Sequence, residues 1–120
     1  MCLDVIRNFK PCEIGYKAVY KIDGEFYPPL GSIKPLPLGI WLKEKDYRLS
    51  VYGNLQFIGG GEVQYPFGWH IFHTKKAAKG WYPGGFLVLR VRVRGAHTVG
   101  LQDGQKITVA KEIKILEEVR

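Results

Sequence analysis

Long hydrophobic runs and cysteines are scarce in this chain of 120 residues. No apolar run approaches the ~20 residues that a membrane-spanning helix needs, and the N-terminus has no signal-peptide pattern. We therefore expect a cytoplasmic protein that does not enter a membrane. The two cysteines, Cys2 and Cys12, are too few for a disulfide scaffold, and free thiols are the expected state. No residue pattern indicates a cofactor or a bound metal ion.

Acidic residues are missing from the whole interval between Glu62 and Asp103. The chain has 18 basic and 11 acidic residues, which is a formal net charge of +7. A long basic interval creates a positive field unless carboxylates from elsewhere fold over it. The expected partner is therefore an anionic ligand, either a nucleotide or a nucleic acid. The acids of the N-terminal half that could neutralise the interval are Asp23, Glu25, Glu44 and Asp46.

The stretch 86–94, FLVLRVRVR, has the clearest periodicity in the sequence. Apolar side chains alternate with Arg90, Arg92 and Arg94, and a period of two predicts a β-strand with one buried and one solvated face. Successive arginines on such a strand stand ~6.6 Å apart, close to the phosphate spacing of a nucleic-acid strand. The guanidinium fork also suits phosphate. These arginines are the predicted phosphate contacts, and an ordinary solvated sheet face is the alternative interpretation.

The glycine and proline content predicts a β-rich fold. With 15 glycines and 7 prolines, many short strands joined by turns are favoured over a helical bundle. Asp23-Gly24 and Asp103-Gly104 predict tight hairpin turns, and the length predicts one domain, residues 1–120. We expect an α+β fold, mainly an antiparallel twisted β-sheet or partly closed barrel of roughly five to seven strands with one short helix. An exposed edge strand would favour a homo-oligomer.

Residues 67–80, FGWHIFHTKKAAKG, predict a strand that runs into a short helix. Thr74 is a suitable N-cap, and the helix 75–79 is expected to end at Gly80. Lysines in its first turn oppose the helix dipole, which favours a role in binding. Beside the three arginines, the candidate ligand-binding residues are the basic Lys75 and Lys76, the aromatic Trp69, Trp81 and Tyr82, and the polar His70 and Thr74. A tryptophan of this set, Trp69 or Trp81, would stack on a base.

Three histidines invite enzymatic alternatives. A metal-independent ribonuclease needs an acid and a base near a phosphate, and its candidates are His70, His97, Tyr82 and Arg92. The position of His73 near a strand end, directly before a threonine, prompts an ADP-ribosyltransferase-like enzyme. A binding module without catalysis is favoured, because cationic and aromatic residues are plentiful while acid–base pairs are not evident. The third class is an inhibitor that docks on an acidic host protein through the same face.

Four short motifs carry a resemblance to known proteins. They are MCLD at the start, GYK at 15–17, GWHIF at 68–72 followed by TKKA at 74–77, and AKEIKI at 110–115. Together they resemble a set of small bacteriophage and prophage proteins, and the strand–helix piece resembles a module attached to some phage pentapeptide-repeat proteins. The resemblance implies a viral or prophage origin and a compact β-rich domain, and it carries no catalytic residues. Because small phage proteins often counter host defences, it also implies a host defence protein as a partner or a nucleotide signal as the sequestered ligand.

Overall fold

The computed structural model describes residues 3–28, 34–47, 55–58, 63–81 and 86–119, of which 55–58, 63 and 64 are described by their backbone alone. Cys2, the glycines at 59–61 and the predicted site residue Tyr82 lie outside this description. In chain order the elements are β1 (Val5–Ile6), β2 (Ile14–Ile22), β3 (Glu25–Tyr27), β4 (Trp41–Lys43), a 3-10 turn (Glu44–Asp46), β5 (Leu55–Ile58), β6 (Val63–Pro66), β7 (Trp69–Phe72), α1 (Lys75–Trp81), β8 (Leu87–Gln102) and β9 (Gln105–Val119).

Seven of the strands form one antiparallel sheet that closes on itself. β8 pairs with β2, β2 with β7, β7 with β9, and β9 with β8 again, so these four strands make a ring. β1, β3 and β4 add to the ring along β8, β2 and β9 respectively. β5 and β6 form a separate two-stranded sheet. The predicted α+β fold, dominated by an antiparallel sheet with one short helix, is confirmed.

The ring buries apolar side chains on both of its faces, because successive residues of a strand point to opposite sides. Ile71, Leu89 and Ile113 are fully buried and meet inside the ring, in a cluster named here the inner core. Phe72 points the other way and packs with Ala78 of α1 in a second cluster, the outer core. All four residues of β7 are buried for this reason.

β8 and β9 form one long hairpin that wraps around the ring. Asp103 and Gly104 have φ angles of 50° and 76°, which is the two-residue turn predicted from the Asp-Gly pair. The sequence predicts that the strand ends at Arg94, whereas β8 continues to its turn. A register shift between Ala96 and Thr98 interrupts the pairing with β9. Such bulges bend a strand and increase its twist, which lets β8 pair with β2 at one end and with β1 at the other.

Helix α1 begins as the sequence predicts and ends later than it predicts. The Thr74 hydroxyl oxygen accepts a hydrogen bond from the Ala77 backbone N–H at 3.2 Å, so Thr74 is the N-cap. The helix continues through Gly80 to Trp81, because Gly80 lacks the positive φ of a C-terminal glycine cap. Glycine inside a helix is less favourable than alanine by about 1 kcal/mol. Within the described ranges no helix has the length and hydropathy to cross a membrane.

Candidate anion-binding face

The three arginines of β8 share one outward face, as their alternation in the sequence predicts. Leu89, just before Arg90, and Val91, between Arg90 and Arg92, are fully buried in the inner core. Arg92 and Arg94 are exposed, and Arg90 is half-buried. The predicted strand with one apolar and one basic face is therefore confirmed.

Two of these arginines are neutralised by glutamates of β9. Arg90 Nη2 lies 2.9 Å from Glu117 Oε1, and Arg94 donates two hydrogen bonds to Glu112, at 2.8 and 3.1 Å. Hydrogen bonding between them lowers the pKa of Glu112 and raises the pKa of Arg94. The positive field that the sequence predicts for these arginines is therefore compensated at Arg90 and Arg94. The acids come from the C-terminal strand and not from the N-terminal half of the chain.

Arg92 lies between two neighbours that cannot neutralise it. Its cross-strand partners are Lys114 on β9 and Ile14 on β2, and Ile14 is an exposed apolar residue. Within the described ranges, neither Arg92 nor Lys114 forms an ion pair with a carboxylate. Like charges directly opposite each other destabilise a sheet. An anion bound between these two cations would therefore be stabilising.

Trp41 of β4 supplies an aromatic ring on the same surface. It pairs with Lys114, whose Nζ lies 5.7 Å from the indole centroid, and Arg94 Cζ lies 4.0 Å from that centroid. The adjacent Leu42 is buried in the inner core, so Trp41 points to the outer side of the ring. Sequence alone does not single out Trp41, because its place beside the arginines depends on the pairing of β4 with β9.

Lys43 completes this surface at the end of β4. It pairs with Glu112 across the strands, and its charge is a minor cause of the lowered pKa of that carboxyl. The residues of this surface, named here the cationic face, are Arg90, Arg92, Arg94, Lys43, Lys114 and Trp41. The face therefore has five positive charges, and the two glutamates that pair with its arginines neutralise two of them, so its net charge is positive.

Two of the predicted site residues lie in the interior. Trp69 is 4% exposed, and its indole N–H donates a hydrogen bond to the Leu42 carbonyl at 3.0 Å. A base cannot stack on this ring in the folded protein, so the predicted stacking role does not fit Trp69. His70 is also buried, between the Gly68 carbonyl at 3.2 Å and the Tyr65 hydroxyl at 2.9 Å. Burial lowers the pKa of His70 to about 3, which keeps it neutral.

Three other predicted residues come together away from the cationic face. Thr74, Lys76 and Trp81 line a cleft between α1 and the β8–β9 turn. Lys75 is on the same helix but does not line this cleft. Apart from Lys75 and Tyr82, the predicted ligand-binding residues therefore divide between the cationic face, the cleft and the buried interior.

The remaining histidines are held by their own partners. His73 Nε2 lies 2.6 Å from the Thr108 hydroxyl oxygen. His97 lies 2.8 Å from the Thr98 hydroxyl oxygen and 3.3 Å from the Phe67 carbonyl. Burial lowers the pKa of both histidines. In the part of the chain that the structure describes, no three histidine, cysteine, aspartate or glutamate side chains are grouped so as to hold a metal ion.

Lys17 is a buried cation whose environment the sequence does not predict. Alternation places it opposite the tyrosines of β2, and pairing with Leu89 of β8 turns that face into the inner core. Its side chain is 8% exposed, with Nζ 5.5 Å from the centroid of the Trp69 ring. Burial lowers the pKa of Lys17 to about 8, and the charge of Glu44 counteracts part of that shift.

Known proteins provide no guide to these sites. No known protein family matches the chain, and no curated protein sequence or solved structure matches it either. The resemblance to prophage proteins therefore stays a prediction, and the function has to be inferred from the chemistry of the cationic face and the cleft.

Proposed function

We propose that this protein binds nucleic acid through the cationic face, with the phosphate backbone across Arg92 and Lys114. The observation that carries the proposal is that these two cations lie directly opposite each other, without a carboxylate partner in the described ranges. A phosphate between them would replace like-charge repulsion with charge-assisted hydrogen bonds. Because Arg92 is exposed, such a ligand can reach it without rearranging the sheet.

The spacing of the arginines favours a polymer over a single phosphate group. Arg90, Arg92 and Arg94 follow one another at ~6.6 Å along the same strand face, so neighbouring phosphates can meet neighbouring guanidinium groups. The outer two are held in position by Glu117 and Glu112, with which a phosphate would compete. Each phosphate contact releases counterions, so the logarithm of the binding constant should fall linearly with the logarithm of salt concentration.

The aromatic ring on this face favours a single strand over a duplex. Trp41 is half-buried on this surface, with the Arg94 guanidinium over its ring, so a base would stack on Trp41 beside or in place of that guanidinium. Proteins that bind single strands combine a basic surface with aromatic side chains on which unpaired bases stack. A duplex keeps its bases stacked inside and offers no free ring to Trp41. We therefore expect tighter binding of a single-stranded oligonucleotide than of the same sequence as a duplex.

Arg92→Glu is expected to weaken binding of a single-stranded oligonucleotide by roughly tenfold or more, since it removes one phosphate contact and adds a repulsive charge. The fold should be unchanged, because Arg92 is exposed and has no ion pair within the described part of the chain. Fluorescence anisotropy of a labelled oligonucleotide over a salt series measures both the affinity and the number of phosphate contacts.

Lys106→Glu is the matched control for this substitution. It makes the same change of charge on β9, near the β8–β9 turn and opposite Leu101. An extended strand places Lys106 ~26 Å from Lys114, so affinity should change by less than roughly threefold through the long-range field alone. Equal weakening by the two substitutions would show that net charge matters and the cationic face does not.

Glu112→Gln is expected to strengthen oligonucleotide binding several-fold. It replaces the two charge-assisted hydrogen bonds of Arg94 with at most one neutral bond and leaves Arg94 without a counter-charge, so the salt dependence should also become steeper. Glu118→Gln is the control, because Glu118 pairs with Lys21 at 3.6 Å, away from the arginine face. The proposal is wrong if Glu112→Gln binds no more tightly than Glu118→Gln.

The alternative functions differ in what they require of the same molecule. An acidic host protein would also use the cationic face, but its binding should persist at high salt and depend mainly on Trp41. A ribonuclease would cleave RNA without added metal, and the buried His70, with both ring nitrogens engaged, offers it no support. ADP-ribosyl transfer, a prophage origin, a role against host defence and a homo-oligomer stay predictions.

A further inference from the structure

A cleft of about 440 Å³ separates α1 from the β8–β9 turn. This volume falls within the ~300–1,000 Å³ that is typical of small-molecule sites. Trp81 forms one wall and is supported by the buried Phe72, with ring centroids 5.7 Å apart. The helix also contributes Lys76, and the turn contributes Asp103 and Gln105. Gln102, at the end of β8, also lines the cleft, which therefore combines a flat aromatic surface with one cation, one carboxylate and two amides.

Gly80 lines this cleft although no contact within the described ranges requires a glycine there. Its backbone is helical, and among the residues that the structure describes a Cβ at this position would meet no atom within 4 Å. Alanine is the better helix former, so an alanine would fit and would stabilise α1. Residues that break a local rule without a structural reason are expected at functional sites. The missing side chain leaves the helix backbone open to a flat ligand beside Trp81.

We propose that this cleft binds a mononucleotide with an amino-substituted base. The heterocycle lies against Gly80 and stacks on Trp81, as bases do on aromatic side chains. Lys76 pairs with the phosphate. Because the cleft has one cation, which lies beside the Asp103 carboxylate, its charge suits a nucleoside monophosphate better than a triphosphate. The Asp103 carboxylate accepts a hydrogen bond from the exocyclic amino group. This site is separate from the cationic face and does not rest on the function proposed for that face.

Isothermal titration calorimetry with AMP and with IMP, which lacks the amino group, tests the proposal. The wild-type protein is expected to bind one AMP, and to bind IMP roughly tenfold more weakly, because Asp103 is then left without its donor. Lys76→Gln should weaken AMP binding by roughly tenfold through the lost ion pair. Gly80→Ala should raise the melting temperature and yet weaken AMP binding by a similar factor, since its methyl group occupies the cleft.

Lys79→Gln is the matched control, because Lys79 is exposed on the same helix and does not line the cleft. AMP affinity in this variant should stay within roughly twofold of the wild-type value. The proposal is overturned if wild-type protein shows no saturable AMP binding, if IMP binds as well as AMP, if Lys76→Gln and Lys79→Gln weaken binding equally, or if a folded Gly80→Ala binds AMP as the wild type does. If Gly80→Ala does not fold, the comparison of Lys76→Gln with Lys79→Gln decides.

Oligonucleotide binding at the cationic face and AMP binding in the cleft can be tested independently of each other. Arg92→Glu is expected to abolish most oligonucleotide binding and to leave AMP affinity within roughly twofold. Lys76→Gln is expected to do the reverse. Loss of both activities in either variant would show a single shared site and would overturn the separate mononucleotide cleft.

Discussion

Lys17→Met is expected to raise the free energy of unfolding by about 2–3 kcal/mol at pH 7. Lys17 is 8% exposed and is surrounded by the inner core, and burial lowers its pKa from 10.5 to about 8. At pH 7 the folded protein holds this ammonium group charged in an apolar environment, whereas methionine has a similar length and no charge. The lost contact with the Trp69 ring offsets part of the gain.

The pH dependence of stability follows the same pKa of Lys17. Because the pKa is lower in the folded than in the unfolded protein, wild-type stability should rise as the pH increases from about 8 to 10.5. The advantage of Lys17→Met should shrink over that range, and urea denaturation at pH 7 and pH 10 measures it. Lys21→Met is the control, because Lys21 is on the same face of β2 but exposed. A stability gain in Lys17→Met that does not change with pH would show that the lowered pKa of Lys17 is not its cause.

Acidification from pH 7 to pH 4 is expected to destabilise the wild-type protein by about 3 kcal/mol through His70. Burial is the main cause that lowers its pKa from 6.5 to about 3. The stability that depends on neutral His70 is therefore complete above pH 6.5 and is lost as the pH falls toward 3. The Tyr65 hydroxyl accepts a hydrogen bond from the Leu3 N–H and donates one to His70, and a protonated ring nitrogen cannot accept it.

His70→Gln separates this titration from other effects of acid. The variant should be less stable than the wild type at pH 7 by about 1–3 kcal/mol, since the buried hydrogen bonds are disturbed. Its further loss between pH 7 and pH 4 should be smaller than that of the wild type by most of the His70 contribution. Tyr65→Phe keeps the imidazole and should keep the acid sensitivity. Equal acid losses in His70→Gln and wild type would assign the titration to other groups.

Much of the local structure could be predicted because it depends on neighbouring residues. Alternation predicts the two faces of β8, and the Asp-Gly pairs predict both hairpin turns. Thr74 predicts the helix start, because a hydroxyl at that position can accept a backbone N–H bond. The end of α1 could not be predicted in the same way, since glycine is favoured at a C-terminal cap but is also tolerated, at a cost, inside a helix.

The composition of the candidate site was less predictable because it depends on strand register. Trp41 and Trp69 both lie in short apolar strands, and only the closure of the ring decides that Trp69 is buried and Trp41 faces outward. Glu112 and Glu117 reach the arginines because the β8–β9 hairpin brings β9 back along β8. Because these glutamates are distant from the arginines along the chain, no sequence pattern predicts that they neutralise them.

The sequence by itself determined the β-rich fold, the start of the short helix after Thr74 and the row of arginines on one strand face, because these follow from side-chain alternation, turn chemistry and helix capping. Only the tertiary structure decided which of those arginines keep their charge unpaired, which tryptophan stands beside them and which lysine is buried. The reason is that cross-strand pairing, and not position along the chain, determines which side chains come into contact.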